Sequence, residues 1–451
     1  MYKRPTKVCR VLGFLLVALI TAQANAANVM ESYRVGLFGL NIPDINTVKY
    51  MIQNHIGRYD LLRFVHVQEN QRNFLLGLAE GNNQGQTENL TVSIEDFIVE
   101  SDLDALIWLE PYKQVDGPSN YVVRIYNKRI SKGPPFEMIE GEFDLAILPE
   151  YAFIGPKLRI ALYNGALWKY SPSLNPVEWS FAVGGAGNAF LDLDPCKPFG
   201  SIIAQVAIAG EVRWPNQSQC KSANLQVAAD LFFKIVQTLN DKYPNLSYSA
   251  IRKMTYLHLL KFDREGSLFD LEIARQSAKQ ILSFCNNNER LSVCQGISPK
   301  LLLSIVEFKH GIEKNELSQI QSSVVRLNTV PAKSVSRLGV NNVLSLALIN
   351  SAEISAAILE GRDQQRLTKA LNSRMQLART TAIEGADQLA LRVMMSVHLL
   401  TKNAECYERN GIRCLQADEV HSVTSWLVSH CSRESCREFA EDLDHLAIPH
   451  K

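Results

Sequence analysis

The chain has 451 residues, 46% of them hydrophobic, which is enough for about two to four domains with sizeable cores. Its 47 Lys and Arg nearly cancel its 46 Asp and Glu. That balance leaves no strong field to gather nucleic acid or anionic lipid, and it weighs against both as partners.

The first residues read as an export signal. Lys3, Arg4, Lys7 and Arg10 make a basic start, and Val11 to Ala22 an apolar run too short to span a bilayer. Ala24-Asn25-Ala26 puts small residues where a signal peptidase reads, so residues 1–26 are expected to be cleaved. An uncleaved anchor is the rival reading. Lipid attachment is disfavoured, because Ala26-Ala27 stand where the lipidated cysteine would be. The mature chain is expected in an oxidising compartment: the periplasm, with secretion as the alternative.

Cysteine usage agrees with that compartment. Of nine cysteines, Cys9 falls in the signal, and nine minus one leaves an even eight. They fall into four neighbouring pairs: Cys196 with Cys220, Cys285 with Cys294, Cys406 with Cys414, and Cys431 with Cys436. Each pair closes a short loop at little entropic cost, so local disulfides are expected. Zinc held by His430, Cys431, Cys436 and His445 is the alternative, but Cys-x4-Cys is a loose spacing and oxidation competes for the thiols. No cofactor is expected.

The first half alternates element types. Tyr33 to Leu40 reads as a strand. Asp44 caps a helix carrying Val48, Ile52 and Ile56, and Gly57 ends it. Leu61 to Val67 is a second strand. A short helix holding Phe74, Leu75 and Leu78 stops at Gly81, and Gly81 to Asn89 reads as a polar loop. Ser93 caps a turn of helix with Ile94, Phe97 and Ile98. Strands are expected at Asp104 to Leu109, Tyr121 to Tyr126 and Phe136 to Phe143, with Gly133-Pro134-Pro135 between the last two. Tyr151 to Trp168 is apolar at helical spacing, and Pro156 should kink or divide it.

Ser171 to Pro176 reads as a linker. Beyond it, Val177 to Val183 and Ser201 to Trp214 look like strands around the glycine-rich turn Gly184-Gly185-Ala186-Gly187. From about Ser222 only helices are expected. Leu225, Ala228, Ala229, Phe232, Ile235, Val236 and Leu239 form one apolar stripe, which Pro244 ends. Leu271, Ala274, Ala278 and Ile281 form the next. Ser298-Pro299 starts a helix that stops near Gly311. Later stripes run through Leu317, Ile320, Val324 and Leu327; Leu344, Leu348 and Ile354; Leu367, Ala370, Leu371 and Ala378; and Leu389, Val393, Met394, Val397 and Leu400. Gly361 and Gly385 can end helices, and Asp363 can cap one.

The fold class expected is thus α+β and multidomain. Residues 27–170 form an α/β module with a mixed sheet, 177–221 a small β-rich connection, and 222–451 a helical half that is TPR-like or an irregular α-solenoid.

Two stretches of the first half carry a resemblance. Leu62-Arg63-Phe64-Val65-His66-Val67-Gln68-Glu69-Asn70, then Arg72-Asn73-Phe74-Leu75-Leu76, resembles the strand-then-helix segment of CsgG- and FlgO-type envelope proteins. Asp102 to Ile107 followed by Tyr121-Val122-Val123-Arg124-Ile125-Tyr126 is similar to their next strand pair, and to the N-terminal domain of TolB. The resemblance covers roughly residues 33 to 168. It implies a periplasmic module for docking and assembly and carries no catalytic residues.

Sites for chemistry are sparse. Asp192 and Asp194, read at strand spacing, would point the same way and hold a metal or share acid–base work. Such pairs are more often turn formers. Asp102 with Asp104, and Asp442 with Asp444, take the same plain reading. Gly184 to Gly187 lacks the remaining features of a phosphate-binding loop. His258 and His398 fall inside helices, with packing or surface roles expected. Trp108, Trp168, Trp179, Trp214 and Trp426 are expected as core anchors rather than glycan-stacking platforms. Asn89, Asn216 and Asn245 begin glycosylation sequons that matter only in a eukaryotic pathway. The expected function is a scaffold or adaptor that binds envelope proteins. A hydrolase centred on Asp192 and Asp194, or a glycan or small-molecule binder, is the alternative.

Overall fold

The computed structural model describes residues 30–39, 61–82, 87–111, 120–128, 136–144, 148–194, 222–239, 242–289, 291, 294, 298–325, 327, 340–360 and 364–383. The chain splits into two compact units, Met1–Gly185 and Ala186–Lys451. The expected helix after Asp44, the strand at Ser201 to Trp214 and the stripe at Leu389 to Leu400 lie outside the described residues.

The first unit is built on a five-stranded sheet in the order β2-β1-β3-β4-β5. Its strands are β1 (Tyr33–Gly39), β2 (Leu62–Val65), β3 (Ala105–Pro111), β4 (Asn120–Asn127) and β5 (Phe136–Asp144). β1 pairs in parallel with both β2 and β3, while β4 and β5 complete the sheet in antiparallel fashion. Ala105 to Leu109 of β3 are all buried, the continuous apolar run of a strand covered on both faces. α1 (Glu69–Asn82) and α2 (Thr87–Glu100) cover one face. There Phe38, Leu75, Ile94, Phe97, Ile98, Leu106 and Trp108 form one core, with the Phe38 and Trp108 rings 4.6 Å apart. Helix α3 (Leu148–Lys169) packs on β4 and β5 and lies over Tyr33 through Gly165. Side chains alternate across a strand, so Tyr33 and Val35 turn away from the face that holds Phe38.

Several expectations need correction. α2 begins at Thr87, so Ser93 lies inside a helix rather than capping one, and the loop expected to reach Asn89 is helical from Thr87. Polar composition suggested a loop, but no glycine or proline follows Gly85 before the helix ends, and intrinsic propensity is a weak guide against burial of Ile94, Phe97 and Ile98. α3 runs through Pro156 without being divided. Val177 to Val183 is not a strand: it belongs to α4 (Pro176–Asp192), so the expected β-rich connection over 177–221 begins as helix. Trp179, Ala182, Val183, Ala186 and Ala189 are buried at helical, not alternate, spacing. The glycines are not a flexible turn either. A side chain at Gly185 would overlap the Tyr163 ring, and one at Gly187 would press on Phe232, so they permit close packing within the helix.

The second unit takes the last residues of α4 and then the helices α5 (Ala223–Leu239), α6 (Pro244–Glu265), α7 (Leu268–Asn287), α8 (Pro299–Glu313), α9 (Leu317–Val325), α10 (Val340–Leu359) and α11 (Gln364–Ile383). The fold class is α+β, and the described residues of the second unit are mainly helical. Each of these helices packs on the next in the chain, and α8 also meets α10. The expected stripes are the buried ones: Leu225, Ala228, Ala229, Phe232, Ile235 and Leu239 on α5, and Leu271, Ala274, Ala278 and Ile281 on α7. Pro244 does not end α5, which stops at Leu239; it opens α6 at the first helical turn, where its missing N–H costs nothing. Ser298-Pro299 opens α8 as expected. Gly311 lets Ile320 of α9 approach.

Candidate functional site

α6 is the helix that apolar spacing does not reveal, because its inward side carries charge. Buried on it are His258, Asp263 and Arg264, beside apolar Ile251, Leu259 and Phe262. Each charged group reaches a different neighbour. Arg264 pairs with Asp194 at 2.7 Å, both side chains fully buried. Asp263 accepts from Lys309 of α8 at 2.6 Å. His258 and Lys261 converge on Asp270 of α7, at 2.6 and 3.0 Å. Lys261 also donates to Gln226 of α5 at 2.6 Å. Because a carboxylate only accepts, Nδ1 of His258 is the protonated nitrogen. Burial works against the Asp270 charge. The hydrogen bonds from His258, Lys261 and Ser267 outweigh it and hold the carboxyl below its usual range.

These contacts fix the corner between α6 and α7. Gly266 takes the left-handed conformation, φ 69°, and its N–H returns to the Phe262 carbonyl at 2.7 Å. Ser267 then caps α7, accepting from the Asp270 N–H. Two residues therefore reverse the chain, and the short connection sets α6 and α7 antiparallel. On the inner side the corner is held by Asp270. On the outer side Leu268 is 51% and Phe269 75% exposed. Two large apolar side chains are thus presented to solvent from a backbone that is fastened on the other side. Rigid exposed aromatic residues of this kind are suited to anchoring a partner.

A second polar cluster sits in the sheet unit. Lys169, the last residue of α3, pairs with Asp104 at 3.0 Å and Glu31 at 2.7 Å. Asp104 also accepts from the Arg34 N–H at 2.8 Å. The Tyr33 hydroxyl donates to Asn127 at 3.0 Å, and that of Tyr170 to the Glu31 carbonyl at 3.0 Å. Burial opposes the Lys169 charge, but Glu31 and Asp104 raise its pKa well above the ordinary lysine value. Burial first, and the nearby carboxylates with it, raises that of Tyr170. This cluster lies where β1 and β3 begin. Ligands of open α/β sheets bind beyond the opposite, carboxyl ends, so the cluster reads as a clasp between α3 and the sheet.

The residues singled out from sequence separate accordingly. Asp192 ends α4, and Asp194 follows it as the buried partner of Arg264, so the two carboxylates do not stand at strand spacing. Asp102 pairs with Arg34 in the left-handed turn before β3, φ 51°, and Asp104 belongs to the clasp. Cys285 and Cys294 are joined by a disulfide. Cys196, Cys220, Cys406, Cys414, Cys431 and Cys436 lie outside the described residues, as do His398, His430, His445, Asp442, Asp444, Trp214 and Trp426. Trp108 and Trp179 are core residues, whereas Trp168 is 51% exposed. Ser247, which completes the Asn245 sequon, is buried. Among the described residues no group of three or more His, Cys, Asp and Glu is placed to hold a metal ion, and no helix is long and apolar enough to cross a membrane.

Sequence reasoning missed the ionic side of α6 and the Leu268–Phe269 corner. The signal for the corner was present as Gly266-Ser267 followed by two apolar residues, a helix stop directly before a helix cap. Compared with known proteins, the chain matches no family model, no curated protein and no solved structure. What the fold itself defines is a chain of class α+β whose helical half fixes an apolar corner in the open.

Proposed function

We propose that the protein is an exported scaffold or adaptor of the cell envelope, and that the helical half grips a protein partner while the sheet unit docks on an assembly. The observation that carries this reading is the exposed Leu268–Phe269 pair, held out from a corner whose inner side is fastened by Asp270. Helix-on-next-helix packing from α5 to α11 supports a solenoid-like, TPR-like surface, since such arrays offer broad faces to other proteins. The signal-like start and the Cys285–Cys294 bond support export to the periplasm. The CsgG-, FlgO- and TolB-like pattern of residues 33 to 168 supports docking for the sheet unit.

A photocrosslinker placed at Phe269 of the full chain in intact cells tests the proposal. One envelope protein should be captured in near-stoichiometric yield, and the same probe at exposed Lys279 of α7 should capture none of it. Equal or absent capture at both positions would count against an adaptor working through this corner.

A further inference from the structure

Leu268 and Phe269 stand out from the α6–α7 corner with charge on either side of them. Glu265, the last residue of α6, is exposed. Glu272 lies three residues beyond Phe269 and four beyond Leu268, so it shares their side of α7, and its side chain is 45% exposed. A second turn lies at the same end of the helices. Lys309, near the end of α8, reaches Asp263, near the end of α6, at 2.6 Å. The chain then reverses through Asn315, φ 54°, and the Glu316 N–H returns to the Gly311 carbonyl at 2.8 Å. Glu313 and Glu316 are exposed at that turn. Against these four carboxylates stand two cations: Lys314, exposed, and Arg275, which pairs with Glu272 at 3.6 Å. The charges buried beneath are matched, Asp263 by Lys309, Arg264 by Asp194 and Asp270 by Lys261. With histidine neutral, this end of the helices is left two charges negative (four minus two), in a chain whose charges nearly cancel.

Resting on the adaptor reading, we infer that the partner at this corner is an envelope protein presenting an apolar pocket ringed by lysine and arginine. Leu268 and Phe269 enter the pocket, and Glu265, Glu272, Glu313 and Glu316 face its rim. The apolar pair supplies the anchor, since large side chains buried at the centre of an interface carry most of its energy. The carboxylates steer the encounter and reject partners of the wrong sign. Like charge disfavours two other occupants. A second copy of this chain docking by the same corner would set acid against acid across a twofold axis. An anionic lipid surface would repel the corner in the same way.

The test starts from the protein captured by the photocrosslinker at Phe269 of the full chain in intact cells. Its crosslinked segment is mapped by mass, and Lys and Arg should outnumber Asp and Glu around it. The captured protein is then purified and its association with the unmodified full chain is timed. Raising ionic strength from about 0.1 to about 1 M shortens the reach of a charge from about 10 to about 3 Å and should slow association by about tenfold or more. Glu265→Lys with Glu316→Lys should slow it as much at low salt, with an unchanged thermal melt because both residues are exposed. The salt series decides the matter if that variant does not fold. A captured protein whose association ignores salt, or whose mapped segment is acidic, would overturn this inference and leave the adaptor reading in place. Crosslinks to a second copy of the chain or to lipid would overturn it too. Absence of any capture at Phe269 would remove both.

Discussion

The two units bury different things. At the centre of the sheet, β3 is apolar from Ala105 to Leu109, and the ion pair of Asp104 with Lys169 stands just before its first residue. In the helical unit, α6 carries charge into the interior and answers it with a different partner on each side: Asp194, Lys309 and Asp270. An apolar core is tolerant of sliding, whereas a buried ion pair is satisfied in one register only. The comparison teaches that α6 is placed by its charges and β3 by its area.

The largest effects should come from the centre of each. Trp108→Ala removes a ring packed on Phe38 and Tyr126 and should cost about 3–5 kcal/mol in denaturant unfolding of the first unit. Arg264→Ala removes the guanidinium 2.7 Å from the buried Asp194 carboxylate and should cost about 3–5 kcal/mol. The paired change Arg264→Met with Asp194→Leu should recover most of that loss. A double variant as unstable as the single would show that α6 needs the charges for more than register.

Next in size is the disulfide. Cys285→Ser with Cys294→Ser frees a loop of sequence separation 9 and should lower stability by about 3 kcal/mol. Smaller again is an acid effect confined to the helical unit. The folded Asp270 carboxyl titrates below its ordinary value of 3.8, so its contribution is complete above that value and is lost as pH falls through the lowered folded pKa. Asp270→Asn should therefore lower stability near neutrality and flatten the acid limb of the stability curve; an unchanged limb would remove Asp270 from the fastening. The smallest effect belongs to Phe269→Ala. At 75% exposure it should move stability by less than about 0.5 kcal/mol while reducing partner capture.

The same contrast explains what the sequence disclosed. Where the core is apolar, spacing locates the elements: β3 from its continuous run, α5 and α7 from their stripes. α4 was misread because its glycines resemble a turn, although Gly185 and Gly187 admit neighbours, Tyr163 and Phe232. α6 escaped because His258, Lys261, Asp263 and Arg264 look like a solvated face until their partners are known. Those partners lie on other elements, and no local pattern announces them. The exposed corner was legible only as punctuation, since outward orientation depends on what fills the inner side.

The pairing of β1 bears on the order in which the molecule is made. Val35 lies beside Phe64 of β2 and Ala105 of β3, so the strand completed first waits for its second neighbour, made 70 positions later (105 minus 35). Such distant pairing is slow, whereas helices that settle on their immediate successors can condense as they are delivered. Until β3 is made, the β3-facing edge of β1 stays open even after β2 has paired on its other side, and a holding chaperone would be most valuable to this sheet.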